Sequence, residues 1–134
     1  MNTIPGKIFH IITEDNISLV KVKAGDIIFT SIVLDTPGTS PYLSNGNSVS
    51  VNFKETEVII AKTWPLEISV QNRVQCVIKN ITHGKILCQV DLVAGEFNIQ
   101  SVITNNACQQ LNLNAGDKVV ALIKTNEVSL SYND

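Results

Sequence analysis

The most constraining feature of this sequence is an internal duplication. When the chain is shifted by 70 positions, residues 1–64 align with residues 71–134 without a gap. Because a regular repeat marks a structural unit, each copy is expected to have the same fold, and we predict two domains, residues 1–64 and residues 65–134. Thirteen aligned positions are identical: Asn2/Asn72, Ile8/Ile78, Ile11/Ile81, Val20/Val90, Ala24/Ala94, Gly25/Gly95, Ser31/Ser101, Leu43/Leu113, Gly46/Gly116, Val49/Val119, Lys54/Lys124, Glu57/Glu127 and Val58/Val128.

Each copy has the residue pattern of short β-strands. In the second copy, apolar residues alternate along 86–92, which predicts a strand with one buried face. Gly25 and Gly95 stand between strand-like segments in both copies, where a tight turn requires a residue that tolerates positive φ. About five short strands per copy, without strong helix signals, favour a small closed barrel, because closure removes exposed sheet edges.

One segment differs between the copies. Residues 106–113 predict a short helix that ends near Gly116, whereas the aligned segment of the first copy contains Pro37, Gly38 and Pro41, which oppose a helix. We therefore predict an all-β fold of two tandem OB-like small β-barrels, with at most one short helix, mainly in the second repeat. Residues 62–67 are the predicted linker between them.

Composition narrows the classes of partner. The net charge is −2 and only 16% of residues are charged, although 44% are hydrophobic, so we expect part of the surface to be covered by other subunits. Few cations and 5% aromatic residues oppose a nucleic-acid binder. The N-terminal residues lack the features of a signal peptide, and no apolar run has the length of a membrane span. These features predict a cytoplasmic protein without membrane insertion.

The cysteines and histidines do not predict catalysis. Cys76, Cys88 and Cys108 lie only in the second repeat, without the paired spacing of a zinc site, so we expect buried thiols and no bare metal cation. His10 and His83 do not align at the 70-residue offset. The sequence therefore predicts that the chain is not an enzyme.

Three segments of the second repeat resemble the Mop (molbindin, TOBE-type) domain, a small module that binds molybdate and tungstate. They are residues 69–72 (Ser-Val-Gln-Asn), residues 102–104 (Val-Ile-Thr) and the long segment 113–128 from Leu113 to Val128. The first repeat matches more weakly, at Asn2 and at Lys54 among others. The resemblance implies a tandem protein that forms cyclic homo-oligomers, trimers when the repeat is duplicated, with oxyanions bound at subunit interfaces.

The resemblance also implies which residues bind the oxyanion. It gives hydroxyl, amide and ammonium donors, which suit a tetrahedral dianion with no protons to donate. Molybdate or tungstate is the expected ligand, with no organic cofactor. The predicted oxyanion-binding residues are Ser69, Gln71, Asn72, Thr104, Lys124, Thr125, Lys54 and Asn2.

The two repeats are not expected to bind equally. Gln71 stands where the family has arginine, and the first repeat has Leu34 and Glu55 where the second has Thr104 and Thr125. Storage or homeostasis of the oxyanion is the leading hypothesis. The alternative is a ligand-sensing interaction module for a molybdate transporter or regulator, and a nucleic-acid binder is a third possibility that the charge opposes.

Overall fold

The structure is a computed structural model that describes residues 1–64 and 67–132. Within these ranges it is built almost entirely from β-strands, with one short helix in the second repeat, as predicted. Two 3-10 turns, at Glu55–Glu57 and Thr125–Glu127, each precede the last strand of a repeat. The other elements are β1 (Asn2–Glu14), β2 (Ile17–Ala24), β3 (Ile27–Val33), β4 (Ser48–Phe53), β5 (Ile59–Ala61), β6 (Asn72–His83), β7 (Leu87–Ala94), β8 (Phe97–Thr104), α1 (Asn105–Gln110), β9 (Lys118–Ile123) and β10 (Ser129–Tyr132).

The strands form two five-stranded antiparallel sheets with the same topology. The strand order is β10-β4-β1-β2-β3 in one sheet and β5-β9-β6-β7-β8 in the other. Both long first strands carry a β-bulge at aligned positions, Phe9 in β1 and Lys79 in β6, where the pairing register with the second strand shifts. Since a bulge increases the local twist and bends a strand, these bulges allow each sheet to curl into an OB-type barrel.

The compact units combine segments from both repeats. The first unit contains residues 1–53 together with the segment that begins at Lys124, and the second unit contains residues 54–123. The boundary predicted from the repeat, 1–64 and 65–134, therefore does not coincide with the compact units. Each sequence repeat supplies its last 3-10 turn and strand to the other unit. Pro65 and Leu66 of the predicted linker lie outside the described residues.

A buried serine on the third strand of each sheet holds the exchanged segment. In the first unit, the Ser31 hydroxyl donates a hydrogen bond to the Val128 carbonyl oxygen. In the second unit, the Ser101 hydroxyl donates to the Val58 carbonyl oxygen at 2.8 Å. Both serines and both valines are buried, and all four belong to the identical positions of the repeat. These hydrogen bonds account for the identity of Ser31 and Ser101, whereas the two valines are buried in the core.

The turns between the second and third strands follow the sequence prediction. Gly25 and Gly95 have φ of 59° and 60°, in the left-handed region that glycine tolerates at little cost. The end of the helix differs from the prediction, since α1 ends at Gln110 and Asn112 has the left-handed φ of 49°. Asparagine also adopts this conformation, so it follows the helix in the place that we had assigned to Gly116.

Candidate functional site

The eight predicted ligand residues are divided between the two units. Asn2, Lys124 and Thr125 belong to the first unit, and the other five belong to the second. This division follows from the exchange of the last segments, which moves each lysine away from the unit formed by most of its own repeat. We describe the two groups separately.

The Ser-x-x-Asn segment leads into β6. Asn72 is the first residue of β6, is 1% exposed and pairs in register with Ile123, whereas Ser69 and Gln71 before it are exposed. Asn2 has the same place at the start of β1 in the first unit, where it pairs with Phe53. Burial places both asparagine side chains in the barrel wall. Ser69 and Gln71 are the exposed donors of this segment.

Arg73 organises the loop that contains Ser69, and we did not single it out from the sequence. Its Nε donates to the carbonyl oxygen of Val70 at 2.8 Å, and its Nη2 donates to that of Ile68 at 2.6 Å. These bonds fix the carbonyls on both sides of Ser69. A signal was available, because Arg73 is the only arginine in the sequence and lies two positions after the glutamine that replaces the family's arginine.

Thr104 has a structural role at the start of the helix. It is the N-cap of α1, and its hydroxyl oxygen accepts a hydrogen bond from the Ala107 backbone N–H at 3.0 Å. It also lines an apolar cleft of about 450 Å³ together with Thr56, Val102 and Leu111. The hydroxyl can still donate its proton, so capping and anion binding are compatible. Ser69, Gln71 and Asn72 are not among the residues that line this cleft.

Lys54 and Lys124 have equivalent backbone positions in the two units. Each precedes a 3-10 turn in extended conformation, and its carbonyl oxygen accepts from Glu57 N–H or Glu127 N–H, respectively, at 3.0 Å. Both lysine side chains are exposed, so their ammonium groups are accessible to a ligand from solvent. Thr125, the first residue of the second 3-10 turn, is half-buried beside Lys124.

A different lysine of the second unit is engaged by the protein itself. The Lys62 Nζ donates to the carbonyl oxygens of Leu111 and Asn112 at 2.9 and 3.0 Å and lies 3.9 Å from the Asp117 carboxylate. Carbonyls at a helix C-terminus lack partners within the helix, so a cation there is stabilising. Lys62 therefore stabilises the end of α1, which leaves it poorly placed to bind a separate anion.

Curled five-stranded sheets with this topology define the class to which the chain belongs: it is a tandem OB-type β-barrel protein. Residues 68–130, which are 63 of the 134 residues, match the TOBE domain family. The resemblance of this repeat to the Mop/TOBE family is confirmed.

The solved structure of ModG shows the same fold over nearly the whole chain. The cytoplasmic molybdate-binding protein ModG, crystallised with molybdate bound, superposes with a TM-score of 0.92 at 22% identity, covering 98% of this chain and 96% of ModG. A molybdate-binding protein from Sporomusa ovata has a TM-score of 0.43 at 29% identity, covering 44% of this chain and 88% of its own. No curated protein sequence gives a significant match. None of the described helices has the length and apolar character needed to cross a bilayer.

Proposed function

We propose that this chain is a cytoplasmic protein that binds molybdate or tungstate for storage or homeostasis. The observation that carries the proposal is the TOBE match over residues 68–130, within a chain that has the fold of molybdate-binding ModG along its whole length. The matched region contains Ser69, Thr104 and Lys124, the predicted hydroxyl and ammonium donors. The fold and the donor chemistry thus support the same class of ligand.

The exposed donors are chemically suited to a tetrahedral oxyanion. Molybdate and tungstate carry two negative charges and four acceptor oxygens, so a site requires several N–H and O–H donors and a cation. Ser69 and Gln71 offer exposed side-chain donors, and Lys54 and Lys124 offer exposed ammonium groups. Thr125 adds a half-buried hydroxyl beside Lys124. A solvent-exposed lysine by itself binds an anion weakly, so a complete site requires further donors around it.

We propose that association of copies of this chain completes the site and that the oligomer is a trimer. Each unit exposes large apolar side chains near its β1–β2 or β6–β7 hairpin. The aligned residues Ile17 and Leu87 are 44% and 51% exposed, and Ile86 is 76% exposed. Exposed apolar side chains of this size are typical of protein–protein interfaces. Burial of these hairpins against other copies is our proposed basis of association.

The first test is calorimetry on the purified oligomer. We expect heat of binding for molybdate and for tungstate at micromolar concentrations, and a native mass about three times the chain mass of 14.6 kDa. Sulfate, a smaller tetrahedral dianion, is the matched control for unspecific charge attraction. Absence of binding by both metal oxyanions, with the oligomer intact, would refute the proposal. Co-purification of a transporter or a regulator only with the loaded protein would instead favour the sensing alternative.

The second test assigns the cation. Lys124→Ala removes the ammonium group that the resemblance places at the ligand, so we expect at least a tenfold weaker molybdate affinity, equivalent to about 1.4 kcal/mol, with the melting temperature unchanged. Lys23→Ala removes another exposed lysine, which lies at the opposite end of β2 from the apolar residue Ile17, and is the matched control. Equal affinities of the two variants would remove Lys124 from the site. Lys54→Ala, measured in the same way, reports whether the first repeat also contributes.

A further inference from the structure

Three metal-ligating side chains meet in the second unit, beside the start of α1. His83 is the last residue of β6, Cys88 is on β7 and pairs with His83 in register, and Cys108 is on α1. One donor atom from each residue lies within 4.8 Å of the donor atoms of the other two. We propose that His83, Cys88 and Cys108 form a Zn²⁺ site with two thiolate ligands and one imidazole ligand.

The spacing of these atoms is close to that of a tetrahedral zinc site. Zn–S bonds of about 2.3 Å and Zn–N bonds of about 2.0–2.1 Å place neighbouring ligand atoms roughly 3.5–3.8 Å apart. Side-chain movements of about 1 Å bring three atoms that lie within 4.8 Å of one another to these separations. Because His83 is exposed, solvent can reach the cluster and provide a fourth ligand.

Charge and burial favour Zn²⁺ among the ions that prefer sulfur. Cys88 and Cys108 are 1% and 2% exposed, so an uncompensated charge at the cluster would be costly. Two thiolates, one neutral imidazole and Zn²⁺ sum to zero charge, whereas Cu⁺ with the same ligands leaves one negative charge. A neutral complex is the one that this buried position accepts at least cost.

A neighbouring amide can orient the imidazole. The His83 Nδ1 lies 3.0 Å from the Asn105 Oδ1. When Nδ1 carries the proton and donates to this oxygen, the lone pair of the neutral ring is on Nε2, which is then the metal-ligating nitrogen. Ligating histidines commonly have such a hydrogen-bond partner, and it fixes both the tautomer and the orientation of the ring.

The first repeat provides an internal control for this position. The residues aligned with His83, Cys88 and Cys108 are Thr13, Ser18 and Gly38. There the Thr13 and Ser18 hydroxyls lie 3.0 Å apart, and Ser18 donates to the Asp35 carbonyl oxygen at 2.6 Å. These polar groups are therefore satisfied by protein partners. The fold does not require metal-ligating residues here, since one copy forms the same hairpin without them.

The test uses the full-length protein under a reducing agent that does not bind metals. Zn²⁺ is titrated in competition with a chromophoric chelator, and Co²⁺ reports the ligands through its thiolate charge-transfer and tetrahedral absorption bands. We expect one ion per chain, with thiolate bands for Co²⁺. Absence of stoichiometric Zn²⁺ binding by the reduced protein would overturn the proposal, including the case in which Cys88 and Cys108 are found instead as a disulfide.

The variants are chosen from the first repeat. Cys88→Ser and His83→Thr introduce the residues that occupy the aligned positions 18 and 13, so the fold should tolerate them. We expect Cys88→Ser to abolish the thiolate bands or to weaken Zn²⁺ affinity more than 100-fold, and Asn105→Ala to weaken it about 10–100-fold, as for other outer partners. Cys76→Ala removes the remaining thiol and should leave both readouts unchanged. Equal loss in Cys76→Ala and Cys88→Ser would contradict the assignment.

Discussion

The serine that closes each barrel offers the most direct test of how the units are built. Ser101 is 0% exposed, and its hydroxyl is 2.8 Å from the Val58 carbonyl oxygen on the segment exchanged from the first repeat. Ser101→Ala retains the Cβ and removes only the donor, so a buried carbonyl loses its partner. Such a loss costs about 1–3 kcal/mol, and in a chain of this size each kcal/mol lowers the melting temperature by roughly 4 °C. We expect a decrease of about 4–12 °C.

The assay is thermal and urea unfolding of the purified protein, measured side by side for three variants. Ser31→Ala removes the equivalent hydrogen bond to Val128 in the first unit and should destabilise to a similar extent. Ser129→Ala is the control, because that hydroxyl is exposed and its contact with the Asn52 carbonyl oxygen is long, at 3.4 Å. Its change should stay within about 0.5 kcal/mol. If Ser101→Ala and Ser31→Ala are no less stable than the control, the serines do not hold the exchanged segments, and this account of barrel closure is wrong.

Two further predictions concern Arg73 and Cys76. Arg73→Met removes the hydrogen bonds to the Ile68 and Val70 carbonyls, so we expect a loss of stability of about 1–3 kcal/mol. Because Ser69 is then no longer held, calorimetry should also show weaker molybdate binding. Unchanged affinity would mean that this loop is not part of the binding site. Burial raises the pKa of the Cys76 thiol from 9.0 to about 11. The unfolded chain therefore releases this proton at a lower pH than the folded protein does. The contribution of the thiol to stability is complete below pH 9 and is lost as the pH rises to about 11. In Cys76→Ala this part of the alkaline decline in urea stability should be absent, and an identical decline in both proteins would contradict the assignment.

The sequence predicted those features that depend on local pattern. Positive φ at Gly25 and Gly95, strand alternation and the short helix of the second repeat all follow from residues close in the chain. The grouping of His83, Cys88 and Cys108 could not be found this way, because spacings of 5 and 20 residues match no metal-binding motif. Only the pairing of β6 with β7, and the packing of α1 beside them, brings these side chains together. The site residues remain predictions from the resemblance.

The exchange of the last segments could not be predicted because the duplication conceals it. Ser31 and Ser101 are identical, as are the buried Val58 and Val128, so either serine could donate to the backbone carbonyl of either segment, and either valine could fill the same core position. Sequence pattern cannot distinguish a repeat that closes on itself from two repeats that exchange strands, which is the ambiguity of domain swapping.

Strand pairing decides between these arrangements, since β10 pairs with β4 and β5 pairs with β9. Lys54 and Val58, which flank the first turn, are both extended, with φ and ψ of −74° and 146° and of −91° and 115°. The residues that flank the second turn, Lys124 and Val128, have nearly the same angles. The chain therefore enters and leaves both turns in extended conformation, and the strand after each turn pairs in the sheet of the other unit. Lys54 and Lys124 therefore stand at the points of exchange, with exposed side chains that are accessible for the proposed role in anion binding.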